Sequence, residues 1–279
     1  MTPAQTKSLE LAGRVQYFTL TQALEQDVYQ SETTARRHLR DLVGRGFLNE
    51  NNYGVQAGAG RLPILYGLTP AGVRYLVEAE NHDPATIKAS KSNRNQSHEI
   101  KAPRDFYHRT GLIDAMLALF RHLDFAKCSE QWSELYFRKH GMHEPKRTSI
   151  ELADGRLEPD AILKFKDEHG KTRFYLIELY EDSDQVERIR RAVNRHAEAL
   201  ATGAPSLALG VQVGHRVLCV FRHDHTARAV MRYIRETPAL ADIQKRFLFV
   251  TLEALKRDPF DQWHIQARKK RIYIDNHFL

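Results

Sequence analysis

Two acidic residues stand where strand patterns would hold them side by side. Leu157-Glu158-Pro159-Asp160-Ala161-Ile162-Leu163-Lys164-Phe165 reads as one strand, Asp167 to Lys171 as a turn, and Arg173-Phe174-Tyr175-Leu176-Ile177-Glu178-Leu179-Tyr180 as the next. The second strand is almost wholly apolar, which predicts burial, yet it carries Glu178. Two carboxylates on adjacent strands can converge on one divalent cation, Mg²⁺ or Mn²⁺, with Asp160 and Glu178 as its ligands. Such an ion polarises a phosphate and lowers the pKa of an attacking water. The competing reading is structural: a buried Glu hydrogen-bonded to a neighbouring helix.

The elements around the pair suit either role. Phe106 to Leu123 reads as a long amphipathic helix whose apolar face is Leu112, Ala115, Met116, Leu119 and Phe120. Trp132 to Phe137 suggests a strand or strand edge bearing Glu130 and Glu134. A polar helix, Asp184 to Leu200, follows the acidic strands with Val186, Ile189, Val193 and Ala197 inward. Leu207–Val213 and Arg216–Phe221 read as two further strands. This order predicts a mixed sheet flanked by helices. A Pro-Asp pair on one strand and a Glu on the next is the skeleton of the PD-(D/E)xK nuclease pattern. The lysine that completes the pattern two residues after the Glu is replaced here by Tyr180. Arg188 or Arg191, reaching back to Glu178, would either replace that lysine or neutralise the carboxylate.

The N-terminal part has a different plan. Lys7 to Tyr17 and Thr21 to Leu24 read as short helices. Ser31 can cap a third, in which Ala35, Leu39, Leu42 and Val43 recur on one face. The opposite face carries Thr33, Thr34, Arg36, Arg37 and Arg40, and Gly46 marks the stop. Phe47-Leu48 starts a strand, Asn49 to Pro63 is polar and Gly-rich with Arg61 near its end, and Ile64 to Leu68 returns. Thr69 then caps a helix that begins at Pro70. Three helices, a hairpin and a closing helix predict a winged helix-turn-helix. Its third helix would enter the major groove of double-stranded DNA, and its hairpin would lie on an adjacent groove or phosphate strand. Thr33, Thr34, Arg36, Arg37, Arg40 and Arg61 are the candidate DNA contacts; the alternative is a winged helix used for protein contact. Tyr66-Gly67-Leu68-Thr69-Pro70-Ala71-Gly72 resembles the end of the wing in bacterial winged-helix regulators.

The expected organisation is a winged-helix domain over residues 1–80, a basic polar linker over 81–104, and a nuclease-like domain over 105–279. The linker carries Lys88, Lys91, Arg94, Lys101 and Arg104. The fold class is α+β, a winged helix followed by a mixed-sheet, restriction-endonuclease-like α/β domain. With 42 Lys and Arg against 35 Asp and Glu in 279 residues, the net charge of +7 favours a polyanion partner. No apolar run approaches the roughly 20 residues needed to span a bilayer. No secretory signal is read in the N-terminal residues, and two cysteines, Cys128 and Cys219, suggest neither a disulfide framework nor a metal cluster. The expected location is cytoplasmic. His140 with His143, and His223 with His225, lack ligand spacing and read as polar surface loops. Arg268-Lys269-Lys270-Arg271 reads either as a phosphate grip or as the solvated flank of a last strand.

Taken together these segments resemble the replication-relaxation family of plasmid and mobile-element proteins, whose pattern is shared by one class of plasmid mobilisation relaxases. The resemblance rests on the winged helix, the helix bearing His108, the Pro159-Asp160 strand, the Ile177-Glu178-Leu179 strand and the helix with Glu187-Arg188-Ile189-Arg190-Arg191. It implies a role in plasmid replication, DNA nicking or relaxation, or mobilisation. Asp160 and Glu178 match the acidic site positions, and the resemblance offers Glu134 as a third. Where the family carries Asp, Lys and Tyr, this chain has Tyr180, Ala192 and His196. The implied partners are double-stranded DNA, a second copy of the chain in a homodimer, and plasmid replication or transfer proteins. A transcriptional regulator with a C-terminal dimerisation or sensor domain is the third reading, beside a DNA organiser and a Mg²⁺-dependent nickase.

Overall fold

Side-chain caps begin each of the first helices in the computed structural model, which describes residues 1–56, 58, 60–84, 86–87, 89–90, 105–138, 146–181, 186–257, 263–265 and 270–272. α1 (Pro3–Val15) starts earlier than its apolar spacing predicts, because Thr2 and Gln5 close a capping box and Pro3 occupies the first turn. α2 (Leu20–Glu25) repeats the box with Thr19 and Gln22. Ser31 caps α3 (Glu32–Gly44), and Gly46, with φ of 74°, turns the chain out of the helix. Ala35, Leu39 and Leu42 are the buried stripe of α3.

Strands β1 (Leu48–Asn51), β2 (Val55–Gln56), β3 (Gly60–Arg61) and β4 (Leu65–Leu68) follow. β1 pairs antiparallel with β4, Leu48 opposite Leu68, and β2 with β3 at the far end of the hairpin. Phe18, between α1 and α2, bridges Tyr66 through backbone hydrogen bonds of 3.0 and 2.9 Å. α4 (Pro70–Ala79) starts at the cap Thr69. Within the expected linker, Ile87 and Ser90 are buried. The Ser90 amide donates to the Leu68 carbonyl at 2.8 Å, so the backbone is held on β4. Of the linker cations, Lys88, Lys91, Arg94, Lys101 and Arg104 lie outside the described residues.

By its internal contacts the chain divides into two units, Met1–Ile113 and Asp114–Leu279. The division falls within α5 (Phe106–Phe125). That helix is not amphipathic as its sequence suggests: from Gly111 to Phe120 every residue except Asp114 is buried. Leu117 and Ala118 complete an apolar surface around this middle stretch, as in a buried helix, while Tyr107, Arg121, Asp124 and Phe125 toward its ends are exposed.

The second unit is built on one mixed sheet. Its elements are β5 (Ser129–Leu135), the separate hairpin of β6 (Ile150–Leu152) and β7 (Gly155–Leu157), then β8 (Ala161–Lys166) and β9 (Thr172–Tyr180). α6 (Val186–Thr202), α7 (Ala204–Ala208), β10 (Arg216–Phe221), α8 (Asp224–Glu236), a 3-10 segment (Pro238–Arg246), β11 (Phe247–Thr251), α9 (Leu252–Arg257), β12 (Trp263–Ile265) and β13 (Lys270–Ile272) complete it. The sheet order is β13-β12-β11-β10-β9-β8-β5. β9, β10 and β11 run parallel, joined through α6 and α8, and the outer pairs are antiparallel. One face of the sheet packs Val217, Cys219, Phe221, Phe247 and Phe249 under Ile189 and Val193 of α6 and Val230 and Ile234 of α8. The architecture is thus mixed α+β.

Two expected strands differ: Leu157–Phe165 is split, with Leu157 ending β7, Glu158-Pro159-Asp160 outside any strand and β8 starting only at Ala161, and a second expected strand is not formed. Leu207–Val213 is instead the end of α7 and a turn. Gly203, at φ 67°, ends α6, Pro205 starts α7, and Gly210, at φ 62°, breaks the extended path. Leu207 is 79 % exposed, so its apolar character marks no core position.

Candidate functional site

The β8–β9 register pairs Ala161 with Ile177. One step further, Asp160 comes opposite Glu178, on the sheet face that α6 covers. Each carboxylate is already engaged. Asp160 Oδ2 accepts the Leu179 amide at 2.8 Å. Glu178 Oε1 lies 2.7 Å from Nε2 of His196 on α6. His196 is completely buried, and burial pushes its pKa down from 6.5 to about 3, with the Asp160 charge opposing. The ring is therefore neutral. Donation to the carboxylate puts its proton on Nε2 and leaves Nδ1 an acceptor with no hydrogen-bond partner among the described residues. Beside the pair, burial raises the Cys219 thiol well above its usual value, and the Glu178 charge adds to the effect.

The lysine position is sealed. Tyr180 is 5 % exposed, and its ring stacks on Phe221 at 5.0 Å within the apolar core under α6 and α8. Arg188 and Arg191 are exposed on α6, and His196 of the same helix meets Glu178. The helix itself held the signal. His196 is seven residues beyond Ile189 and three beyond Val193, which places it on the inner stripe of α6.

Glu134 is also buried and lies on β5 opposite Ile162. Its Oε1 is 3.9 Å from Nε of Arg138, which is itself 7 % exposed. Burial lowers the Arg138 pKa and the Glu134 charge opposes that shift. Among the described residues, no three His, Cys, Asp or Glu side chains gather into a group able to hold a metal ion. His223 and His225 are exposed at the start of α8, and His140 and His143 lie outside the described residues. Of the basic C-terminal run, Lys270 and Arg271 belong to β13, and Arg268 and Lys269 lie outside the described residues.

In the first unit, α3 presents Thr33, Arg36, Arg37 and Arg40 exposed, opposite its buried stripe. Arg36 pairs with Glu32 one turn earlier. Arg37 and Arg40 have no hydrogen bond or ion pair among the described residues. Thr34 is half-buried and tied to the cap, its amide donating to Ser31 Oγ at 3.3 Å. Arg61 is exposed on β3.

These features define a two-unit α+β protein, with an arginine-bearing capped helix in one unit and an acidic pair on the helix-covered face of a mixed sheet in the other. No helix among the described residues is long and apolar enough to cross a membrane. The sequence matches the replication-relaxation family model over residues 9–213, and the chain belongs to that family. Membership associates it with replication or relaxation of plasmids and other mobile elements. No curated protein and no solved structure matches the chain.

Proposed function

We propose that this protein binds a specific site on double-stranded DNA of a plasmid or mobile element and acts there in replication, relaxation or mobilisation. The first unit is read as a winged helix, with α3 as recognition helix and the β2–β3 end of the hairpin as wing. The observation that carries the reading is the exposed Thr33, Arg36, Arg37 and Arg40 face of a helix whose other side is fully used in packing. Arginine can read guanine edges bidentately and also hold phosphates, so an uncommitted pair such as Arg37 and Arg40 suits both tasks. Changing Arg36, Arg37 and Arg40 together to Ala should abolish discrimination between the cognate origin and an unrelated duplex. A gel shift with both duplexes measures this, and retained discrimination would remove the basis for the assignment.

The second unit is read as nuclease-like in plan and no longer a cutting centre. One oxygen of each carboxylate is occupied by the protein, the lysine position is an apolar stack, and the nearest ring nitrogen belongs to a buried neutral histidine. These residues do not fit a cation that must draw on both carboxylates and activate water beside them. The apposition of Asp160 and Glu178 nonetheless favours a second reading, a Mg²⁺-dependent nickase. Supercoiled plasmid carrying the cognate origin should stay supercoiled with the protein and Mg²⁺ or Mn²⁺. Open circles that vanish with Asp160→Ala would establish the nickase instead.

A further inference from the structure

α6 and α8 cover the same face of the sheet and touch: the Tyr233 hydroxyl donates to Asn194 Oδ1 at 3.0 Å, and Arg190 lies over the Tyr233 ring at 5.1 Å. All seven basic Lys or Arg side chains of the two helices are arginine, namely Arg188, Arg190, Arg191, Arg195, Arg228, Arg232 and Arg235. All seven are exposed. Arg188, Arg191 and Arg195 recur at i, i+3 and i+7, and Arg228, Arg232 and Arg235 at i, i+4 and i+7, so each helix carries a stripe of charge. The acidic side chains on these helices are Glu187, Glu198, Asp224 and Glu236. They compensate only part of the charge. Arg228 pairs with Asp224, Arg235 with Glu236 at 3.4 Å, and Arg190 with Glu187 at 3.9 Å. Arg195 and Arg232 have no hydrogen bond or ion pair among the described residues.

The fold does not need this charge. The inner residues Ile189, Val193, Val230 and Ile234 hold the helices to the sheet, and exposed ion pairs contribute at most about 1 kcal/mol each. Arginine in place of lysine is what phosphate contact favours, because the guanidinium fork matches two phosphate oxygens and is more weakly hydrated than an ammonium. Each stripe extends for about 10 Å, long enough to meet several charges of a duplex that carries one per about 1.7 Å of axis.

We propose that the outer surface of α6 and α8 is a second contact surface for double-stranded DNA, which grips phosphates without reading sequence. The partner rests on the DNA-binding reading above, whereas the surface is independent of α3. It gives the second unit a task that requires no chemistry at Asp160 or Glu178: adding sequence-independent hold on the duplex.

The test is fluorescence anisotropy of the full chain with a duplex of arbitrary sequence and one carrying the cognate origin, over a range of salt. Variants R228A/R232A/R235A and R188A/R191A/R195A should unfold at the wild-type urea concentration. They should bind the arbitrary duplex on the order of tenfold or more weakly and lower the log–log salt slope by about two to three. The ratio of cognate to arbitrary affinity should not change. The triple Arg-to-Lys variants should recover most of the salt slope. Wild-type affinity and slope in both alanine variants overturn the surface, whatever α3 does. Loss of the cognate preference in R228A/R232A/R235A overturns its sequence-independent character. The R36A/R37A/R40A variant, run alongside, reports separately on α3: a retained cognate preference there sinks the recognition helix and leaves the surface standing.

Discussion

His196 changes the meaning of Glu178. A glutamate at 8 % exposure in the middle of a sheet needs a partner, and the imidazole supplies one at 2.7 Å. Removing the imidazole leaves the carboxylate with a lost hydrogen bond and a cavity. His196→Ala should therefore destabilise the second unit by about 1–3 kcal/mol, measured as a lower urea midpoint at pH 7.5. A midpoint equal to wild type would mean that Glu178 draws its support from elsewhere. Neither the pairing nor its cost was legible from residue types. The two carboxylates and the apolar strand that carries Glu178 could be read from the sequence, but which helix residue descends onto them depends on how α6 is rotated over the sheet. The inner stripe of α6 pointed to His196 only once Glu178 was known to lie on the face beneath it.

At the scale of elements, two glycines explain why the run Tyr66 to Gly72 is so recognisable. Thr69 Oγ1 caps α4 by accepting the Gly72 amide at 3.1 Å and donates to the Gly46 carbonyl at 2.6 Å. That clamp brings the Phe47 carbonyl to 2.3 Å from where a Gly72 side chain would begin. Gly67 likewise leaves room for Ser90, whose Oγ would be 2.2 Å from an added Cβ. The obstacle at Gly72 is backbone at the start of β1, so it cannot rotate away. Gly72→Ala should cost about 1–3 kcal/mol and loosen the β1–β4 hairpin, seen as faster amide exchange at Asn49, Gly67 and Thr69, whose backbone groups face the partner strand. Gly67→Ala meets the Ser90 Cβ at 2.7 Å, which cannot rotate aside, and the Gln16 carbonyl at 3.1 Å, so it should cost a similar amount. Unchanged exchange in Gly72→Ala would show that the α4–β1 contact yields more easily than its geometry suggests. The helices and strands here followed from caps and alternation. The strand expected over Leu207–Val213 did not, because Gly203, Pro205 and Gly210 override its local apolar content.

At the scale of the whole molecule, the second unit encloses two histidines that are neutral in the fold. Burial pushes both His196 and His215 down from 6.5 to about 3, with Asp160 opposing for His196 and with His196 and Arg246 adding to the shift for His215. Below about pH 6.5 the unfolded chain takes up protons that the folded chain refuses. Stability therefore falls as pH drops from 6.5 toward 3 and is unaffected by these groups above 7. Each histidine contributes a slope of roughly 1 kcal/mol per pH unit. Urea midpoints at pH 7.5, 6 and 5 should decline in that order, more gently in His196→Ala. A flat profile down to pH 5 would contradict the buried, neutral state of both rings.

The division between what was written in the chain and what folding added follows from the range of the interactions. Capping residues, the i, i+4 stripe of α3, the apolar run of β9 and the excess of basic residues are local or compositional, and they determined the α3 arginine face and the strand that carries Glu178, whereas Asp160 stands just before β8 rather than in it. The strand order of the sheet, the burial of the middle of α5, the seal of Tyr180 on Phe221 and the closure of Glu178 by His196 depend on contacts between residues distant along the chain. Only tertiary packing decides those, because the same apolar surface can be buried against several neighbours until one arrangement fills the space and satisfies the buried polar groups.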